Sequence, residues 1–198
     1  MAIEIVLPDS GRVELTDIFR PSGRALNGLG DSVQAQLYWS SLDTTLAVLD
    51  SATGVSIATA VGTARLQART GNLFSNPQAV SVLARLDSIR AVGTTRDTFF
   101  VTADSLSDSL RVQAYALGGI PANRRVVYAL TIYPDSGSVI TLRPNDTVFT
   151  NSAGLAATRV RLQGGTVPDS IVVTATMRHV NGTLVSDSLL TFVVEFRP

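Results

Sequence analysis

Apolar and polar residues alternate with a period of two along much of this chain, the pattern of β-strands that bury one face. From 33 to 39 the odd positions Val33, Ala35, Leu37 and Trp39 are apolar, while Gln34, Gln36 and Tyr38 face the other way. Ala64, Leu66 and Ala68 alternate with Arg65, Gln67 and Arg69, and Leu110, Val112 and Ala114 with Arg111 and Gln113. Val160 and Leu162 sit between Arg159, Arg161 and Gln163, and Ile171, Val173, Ala175 and Met177 form one more apolar row. The alternation places Trp39, Val33, Leu37, Leu66, Val112, Val160 and Val173 in the core. By parity Trp39 points inward, where it would bury about 200 Å² and plug an inter-sheet core instead of offering a ligand platform. The arginines of the opposite rows read as solvated surface, their long stems covering the sheet, in preference to a basic binding stripe. No segment keeps a helical period.

Turn signals separate these rows: Pro8-Asp9-Ser10-Gly11, Pro21-Ser22-Gly23, Gly118-Gly119-Ile120-Pro121, Pro134-Asp135-Ser136-Gly137 and Asn181-Gly182. Asn181-Gly182, flanked by strand patterns, predicts a hairpin with a type I′ turn. Many short strands at this spacing predict an all-β fold of Greek-key sandwiches. There is also a weak internal repeat. Residues 31–38 resemble 108–115, and 50–68 resemble 150–163, each of the latter two leading from an Asp or Asn turn through Gly into an alternating strand. The repeat predicts two related domains with a junction near 84–95.

Composition strengthens the all-β reading. The 198 residues suffice for two domains, each of about 100 residues, and a hydrophobic content of 45% can supply a core for each. There is no lysine, and thirteen aspartates stand against three glutamates. Glu and Lys favour helices, whereas Asp belongs in turns and caps. A net charge of zero removes the bulk attraction to nucleic acid or an anionic membrane. With no cysteine, neither disulfides nor thiolate metal sites are available. No apolar run reaches the roughly 18 residues of a membrane span. The start, residues 1–8, has neither the positive flank nor the long apolar stretch of a signal peptide. The chain therefore reads as cytoplasmic, or as a mature form or fragment whose leader is absent.

Candidate chemistry is sparse. His179, the one histidine, would be the base of a Ser-His-Asp hydrolase, but it stands beside the Asn-Gly turn and no Gly-x-Ser-x-Gly elbow exists. The stretch from Asp104 through Ser105 and Ser107 to Asp108, and the turn Asp135-Ser136-Gly137, offer oxygen ligands for calcium. They lack an Asp-x-Asp-x-Asp run, and Asp in turns caps its own backbone, so turn chemistry is preferred and no cofactor is expected. Glu195 alternates with Val194 and Phe196 and faces outward with no evident acidic partner, which argues against glycoside hydrolysis. No catalytic constellation emerges, and no enzyme is expected.

The residues do carry a resemblance. Trp39-Ser40-Ser41-Leu42-Asp43, Val48, Asp50, Gly54 and Gly62-Thr63-Ala64 resemble the pattern of the group 2 bacterial immunoglobulin-like domains of intimin- and invasin-type surface proteins, over residues 30–83. Residues 105–196 resemble the sister group 1 through "GGIPANRRVVYAL", "TNSAGLAATRVRL" and "DSIVVTATM", with Asn151 where that group usually has Asp. The resemblance implies two tandem immunoglobulin-like sandwiches, over 20–86 and 87–198, with residues 1–19 as an N-terminal arm or extra strand. It speaks for the fold more than for any one function, because this fold hosts many.

What it implies is a non-catalytic module of a bacterial envelope or secreted protein that acts by protein–protein contact. One form is a stalk or adhesin segment. The other is an accessory subunit of a membrane-protein complex, docked through residues 1–19, whose apolar content exceeds what a loop needs. The alternative is a carbohydrate-binding module, which needs an exposed aromatic platform; parity leaves only Tyr38, Tyr115 and Tyr133 for it. A periplasmic, cell-surface or secreted location follows from the resemblance. Neither a nucleic-acid partner nor a membrane span in this chain is expected.

Overall fold

The computed structural model describes residues 1–102, 106–134 and 137–197. It divides into two compact units, Met1–Arg85 with Leu117–Gly119, and Leu86–Ala116 with Ile120–Pro198. Among the described residues the regular structure is strand throughout, apart from one 3-10 turn at Pro8–Gly11. No helix is long and apolar enough to cross a membrane.

The first unit contains β1 (Ala2–Val6), β2 (Arg12–Glu14), β3 (Ile18–Phe19), β4 (Ser22–Leu26), β5 (Ser32–Val33), β6 (Tyr38–Ser41), β7 (Leu46–Val48), β8 (Ser56–Ala58), β9 (Gly62–Thr70), β10 (Leu73–Phe74) and β11 (Gln78–Leu83). Strands β1, β4 and β5 form one ladder and β3, β8 and β7 another, while β9 pairs with β6, β10 and β11. Pro21 stands between β3 and β4, where it has no N–H to give a ladder. The last strand, β11, takes β2 on its far edge in parallel. Val13, Phe19, Leu37, Trp39, Leu46, Leu66, Val80 and Val82 meet in one core.

Residues 1–19, set apart in sequence as an arm or extra strand, are part of this unit. All of β1 pairs with β4 in register, and β2 pairs with β11. Ile3, Ile5 and Leu7 pack on the core to which Val13 and Phe19 belong. The apolar content that suggested an arm in search of a partner is therefore satisfied inside the sandwich, and the unit takes in residues 1–19 instead of starting at 20.

The single strand expected over 33–39 is two pieces. Strand β5 ends at Val33, residues 34–37 carry no strand pairing, and β6 opens at Tyr38 in a different ladder. Leu37 and Trp39 are buried as parity required, but Val33 is half-buried and Ala35 exposed. The chain leaves one ladder and enters another between them. A period-two pattern carries no mark of such a change, which is why Val33 does not take the core place assigned to it.

The second unit contains β12 (Arg85–Val92, its first residue grouped with the first unit), β13 (Arg96–Phe100), β14 (Leu110–Leu117), β15 (Arg125–Tyr133), β16 (Val139–Arg143), β17 (Thr147–Phe149), β18 (Leu155–Gly164), β19 (Ser170–Met177) and β20 (Leu190–Arg197). They form two sheets, β12-β14-β18-β16 and β13-β20-β19-β15-β17. From β12 to β19 the chain alternates between them and β20 then pairs with β19, the crossing pattern of a Greek-key sandwich. Leu110, Val112, Ala156 and Val160 of the first sheet face Val126, Tyr128, Ile171, Val173, Phe192 and Val194 of the second across one core. Again an early strand runs parallel to the last, β13 beside β20.

The internal repeat has a physical counterpart. Asp50 and Asn151 each open a turn with the side-chain oxygen accepting from the backbone N–H two residues on, at 2.9 Å in both cases. Gly54 and Gly154 close these turns with φ of +79° and +77°. Gln36 donates to the carbonyls of Leu37 and Ala52, and Gln113 to those of Ala114 and Ala153. The strands around the two glutamines nevertheless differ, since β14 pairs with β18 whereas Gln36 lies in the unpaired stretch before β6.

The hairpin at Asn181-Gly182 is of another type than expected. Gly182 has a positive φ of +86°, and Asn181 does not. A type I′ turn needs both. Here Gly182 N–H donates to His179 O at 3.0 Å and Thr183 O accepts from His179 N–H at 2.8 Å, a longer loop closed by one left-handed glycine. The Asn181 side-chain oxygen Oδ1 accepts from the Thr183 N–H at 3.0 Å and hydroxyl at 2.7 Å, which braces the loop.

Tyr128, on β15, is 1% exposed and its hydroxyl has no hydrogen-bond partner. Burial pushes its phenol well above the ordinary value of 10.0. The unfolded chain therefore ionises this group at a pH where the native chain keeps it neutral, and stability falls as pH rises above that value. The urea midpoint of the wild type should drop more steeply than that of Tyr128→Phe between about pH 9 and 11. Near neutral pH the variant should be as stable as wild type or slightly more, because the orphaned hydroxyl is gone; a clear loss there would mean that the hydroxyl has a partner.

Candidate functional site

The residues that looked most specific in sequence converge on one corner of the first unit. Strand β6 pairs with β9 so that Tyr38 lies opposite Arg69 and Trp39 opposite Ala68. Trp39 points inward and is 5% exposed. Its indole crosses two positions without side chains: a methyl group on Gly54 would stand 2.8 Å from the ring, and one on Gly23 3.2 Å from it. Gly54 also has the left-handed φ of +79° that L side chains rarely adopt. Trp39 is therefore a core plug, and its ring offers no face to a ligand.

The rest of the motif shapes the backbone around that plug. After β6, the Ser41 hydroxyl donates to Asp43 O at 2.7 Å. The Asp43 carboxylate accepts from the Arg65 backbone N–H at 2.8 Å and from its guanidinium at 2.9 and 3.0 Å. The Arg65 side-chain hydrogen bonds hold the Asp43 carboxyl below its usual value and raise the guanidinium in turn. Asp50, whose carboxylate accepts from the Thr53 hydroxyl at 2.6 Å and from the Ala52 N–H, is held low for the same kind of reason. These carboxylates are occupied by their own chain.

The other expected core residues lie as follows: Leu37, Leu66, Val112, Val160 and Val173 are buried, and Val33 is not. His179 is half-buried in the loop after β19. Glu195 faces outward and pairs with Arg197 at 3.0 Å. Among the described residues two charged side chains are buried, Glu14 and Arg124, and neither is free of partners. Among the described residues no three His, Asp or Glu gather as a metal site would require. Asp104, Ser105, Asp135 and Ser136 of the calcium reading lie outside the described residues; Asp108 is within them, and its N–H donates to the Asp97 carboxylate at 2.7 Å.

The tyrosines do not form a platform. Tyr38, Tyr115 and Tyr133 are exposed, but Tyr38 is in the first unit, and Tyr115 and Tyr133 lie on different sheets of the second. The Arg69 guanidinium covers the Tyr38 ring at 5.4 Å and that of Arg90 the Tyr115 ring at 5.5 Å. Exposed Phe74 and Phe149 stand on short strands of different units. What the alternation left unassigned is the company each outward arginine keeps, because cross-strand register alone decides it.

No family model matches this chain, and no curated protein does. Solved structures similar to it include the adhesin InvE of Yersinia pseudotuberculosis, with 18% identity, a TM-score of 0.49, 99% of this chain covered and 59% of that one. The D00-D0 domain of Intimin has 15% identity and a TM-score of 0.36, covering 99% of this chain and 100% of that one. Domains 4 and 5 of the S-layer protein SbsC have 11% identity and a TM-score of 0.37, covering 100% of this chain and 98% of that one. This chain thus spans 59% of the InvE chain. With identities this low and TM-scores below 0.5, the fold rests on the strand pairing described above.

Two substitutions test the structural role of the motif. Gly54→Ala should cost about 2 kcal/mol, from the left-handed backbone and the clash with the indole. It is measurable by urea unfolding with Trp39, the one tryptophan, as reporter. Asp43→Asn should remove stability that the wild type has above the ordinary carboxylate range and loses as the pH falls through it. The wild type and variant curves should therefore converge in acid, and parallel curves would rule out an ion-paired Asp43.

Proposed function

We propose that this chain is a non-catalytic structural and protein-interaction module, a stalk or adhesin segment of a surface or secreted protein. One observation carries the reading. Asp43, Asp50 and Arg65 give their polar groups to hydrogen bonds within the first unit, and Tyr128 gives its ring to the core of the second. Three of these brace turns around the Trp39 corner, and the fourth is buried in the second core. The distinctive residues are thus spent on closing two sandwiches.

The names of the similar structures, an adhesin, intimin domains and a surface-layer protein, agree with this reading without adding weight to it. It implies a cell-surface or secreted location, and it requires no cofactor. The accessory-subunit form loses its support, because residues 1–19 close the first sandwich. The aromatic-platform form of a carbohydrate-binding module likewise lacks a platform.

A stalk segment has to bear load. In each unit the early strand and the last strand are parallel neighbours, β2 with β11 and β13 with β20. Tension between the ends shears such a ladder and loads its hydrogen bonds together. Single-molecule extension of the full chain should show two separate unfolding events, releasing about 300 Å and 400 Å of chain for units of this size. The purified protein should also sediment as a monomer. One merged event, or gradual yielding without a force peak, would count against a load-bearing role.

A further inference from the structure

The sheet β12-β14-β18-β16 of the second unit carries an unbalanced charge. Apart from Arg85, whose guanidinium pairs with Asp17, its strands hold Arg90, Arg111, Arg143, Arg159 and Arg161 against one acid, Asp87. All five arginines are exposed, and among the described residues none has a carboxylate partner. Three exposed arginines elsewhere are ion-paired, Arg24 with Glu4, Arg65 with Asp43 and Arg197 with Glu195, and the strands of the opposite sheet set Arg96, Arg125 and Arg197 against two acids, Asp97 and Glu195. A chain of zero net charge has concentrated positive charge on one face.

Register gathers these residues. Val112, Val160 and Leu142 point into the core, so Arg111, Arg159, Arg161 and Arg143 project from the opposite face. Arg143 lies directly opposite Arg159, Arg161 opposite Thr141, and Arg111 opposite Ala157. Neighbouring strands are about 4.8 Å apart and same-face residues along a strand about 6.8 Å apart, so four guanidinium groups share a small area. Like charges directly opposite each other destabilise a sheet. The fold bears that cost at Arg143 and Arg159 without a screening acid, as expected of a face that meets an external anion.

We infer that this arginine face binds an acidic polysaccharide, a chain of sugars bearing carboxylate or sulfate groups. The guanidinium fork matches either anion with two parallel hydrogen bonds. Gln163 on β18 lies exposed in the same outward row and supplies an amide donor and acceptor for sugar hydroxyls, whereas the Gln113 amide is already given to the Ala114 and Ala153 carbonyls. A protein partner fits less well: arginine is common in protein interfaces, but beside aromatic and apolar anchors at their centre, and the centre of this face is a cluster of arginines. Single-stranded nucleic acid relies on open aromatic faces for stacking, and the Tyr115 ring is already covered by Arg90. The inference stands on this sheet alone and does not depend on the load-bearing role.

The test uses the full chain with alginate and dextran sulfate as probes, and with neutral dextran, an oligothymidylate of equal charge and phosphatidylglycerol vesicles as comparisons. Calorimetry or salt elution should show alginate or dextran sulfate bound at least tenfold more tightly than neutral dextran, with the difference fading as salt rises. The triple variant Arg111→Gln/Arg159→Gln/Arg161→Gln should lose at least tenfold, and Arg24→Gln, a paired arginine of the first unit, should change binding less than twofold. The triple variant should melt at or above the wild-type temperature, since it relieves the Arg143–Arg159 repulsion. Should it fail to fold, Arg161→Gln alone should still weaken binding about threefold. Equal binding by the wild type and these variants would overturn the inference. So would tighter binding of the oligothymidylate or the vesicles than of either polysaccharide.

Discussion

Each unit depends on one long-range pairing, the ladder that sets an early strand parallel to the last. In the second unit Phe99 of β13 is in register with Phe196 of β20, both are buried, and their rings lie 5.0 Å apart. In the first unit Val13 of β2 stands beside Val82 of β11, and both belong to the core. The two ends of each unit must meet before this contact forms, so its loop-closure entropy is offset only when the whole apolar face is buried with it. The sandwich is in that sense cooperative: β1 to β11, or β12 to β20, form a core together or not at all.

Within that frame the small residues are as constrained as the large ones. Trp39 fills its place only because Gly54 and Gly23 leave room for the ring. The turn that delivers Gly54 is in turn held by Asp50, and Asp43 ties the next corner to Arg65. A tryptophan, two glycines and two aspartates scattered over 23–54 therefore act as one packing unit. In a different setting the same residue types would suggest a binding site; here burial and hydrogen bonding consume them.

The surface divides differently. Several arginines pair with a carboxylate or cover a tyrosine ring, which keeps the sheets soluble without marking any face. The β14, β18 and β16 arginines stand apart because they share a face with one another and, among the described residues, pair with no acid. Solvated surface accounts for their exposure, but not for the register that sets Arg143 against Arg159. Fold and recognition use opposite faces of the same strands: Val112 and Val160 hold the core while Arg111, Arg159 and Arg161 meet the solvent.

Alternation by itself determined which side chains of β9, β14, β18 and β19 turn inward, because the side-chain period of a strand is a property of the backbone and needs no neighbour. It also marked the turns at Asp50 and Asn151, whose side chains bond to their own backbone. Only the tertiary structure decided where a strand changes ladders, and so Val33 left the core row while Trp39 kept its place. The same was true of residues 1–19, whose apolar content is alike in a free arm and in a strand already paired with β4 and β11. It was true as well of Asn181, whose conformation depends on the length of the loop that closes around it. The arginine face was equally hidden: each Arg was visible as an outward residue, but which arginines become neighbours is set by cross-strand register, a relation between segments far apart in the chain.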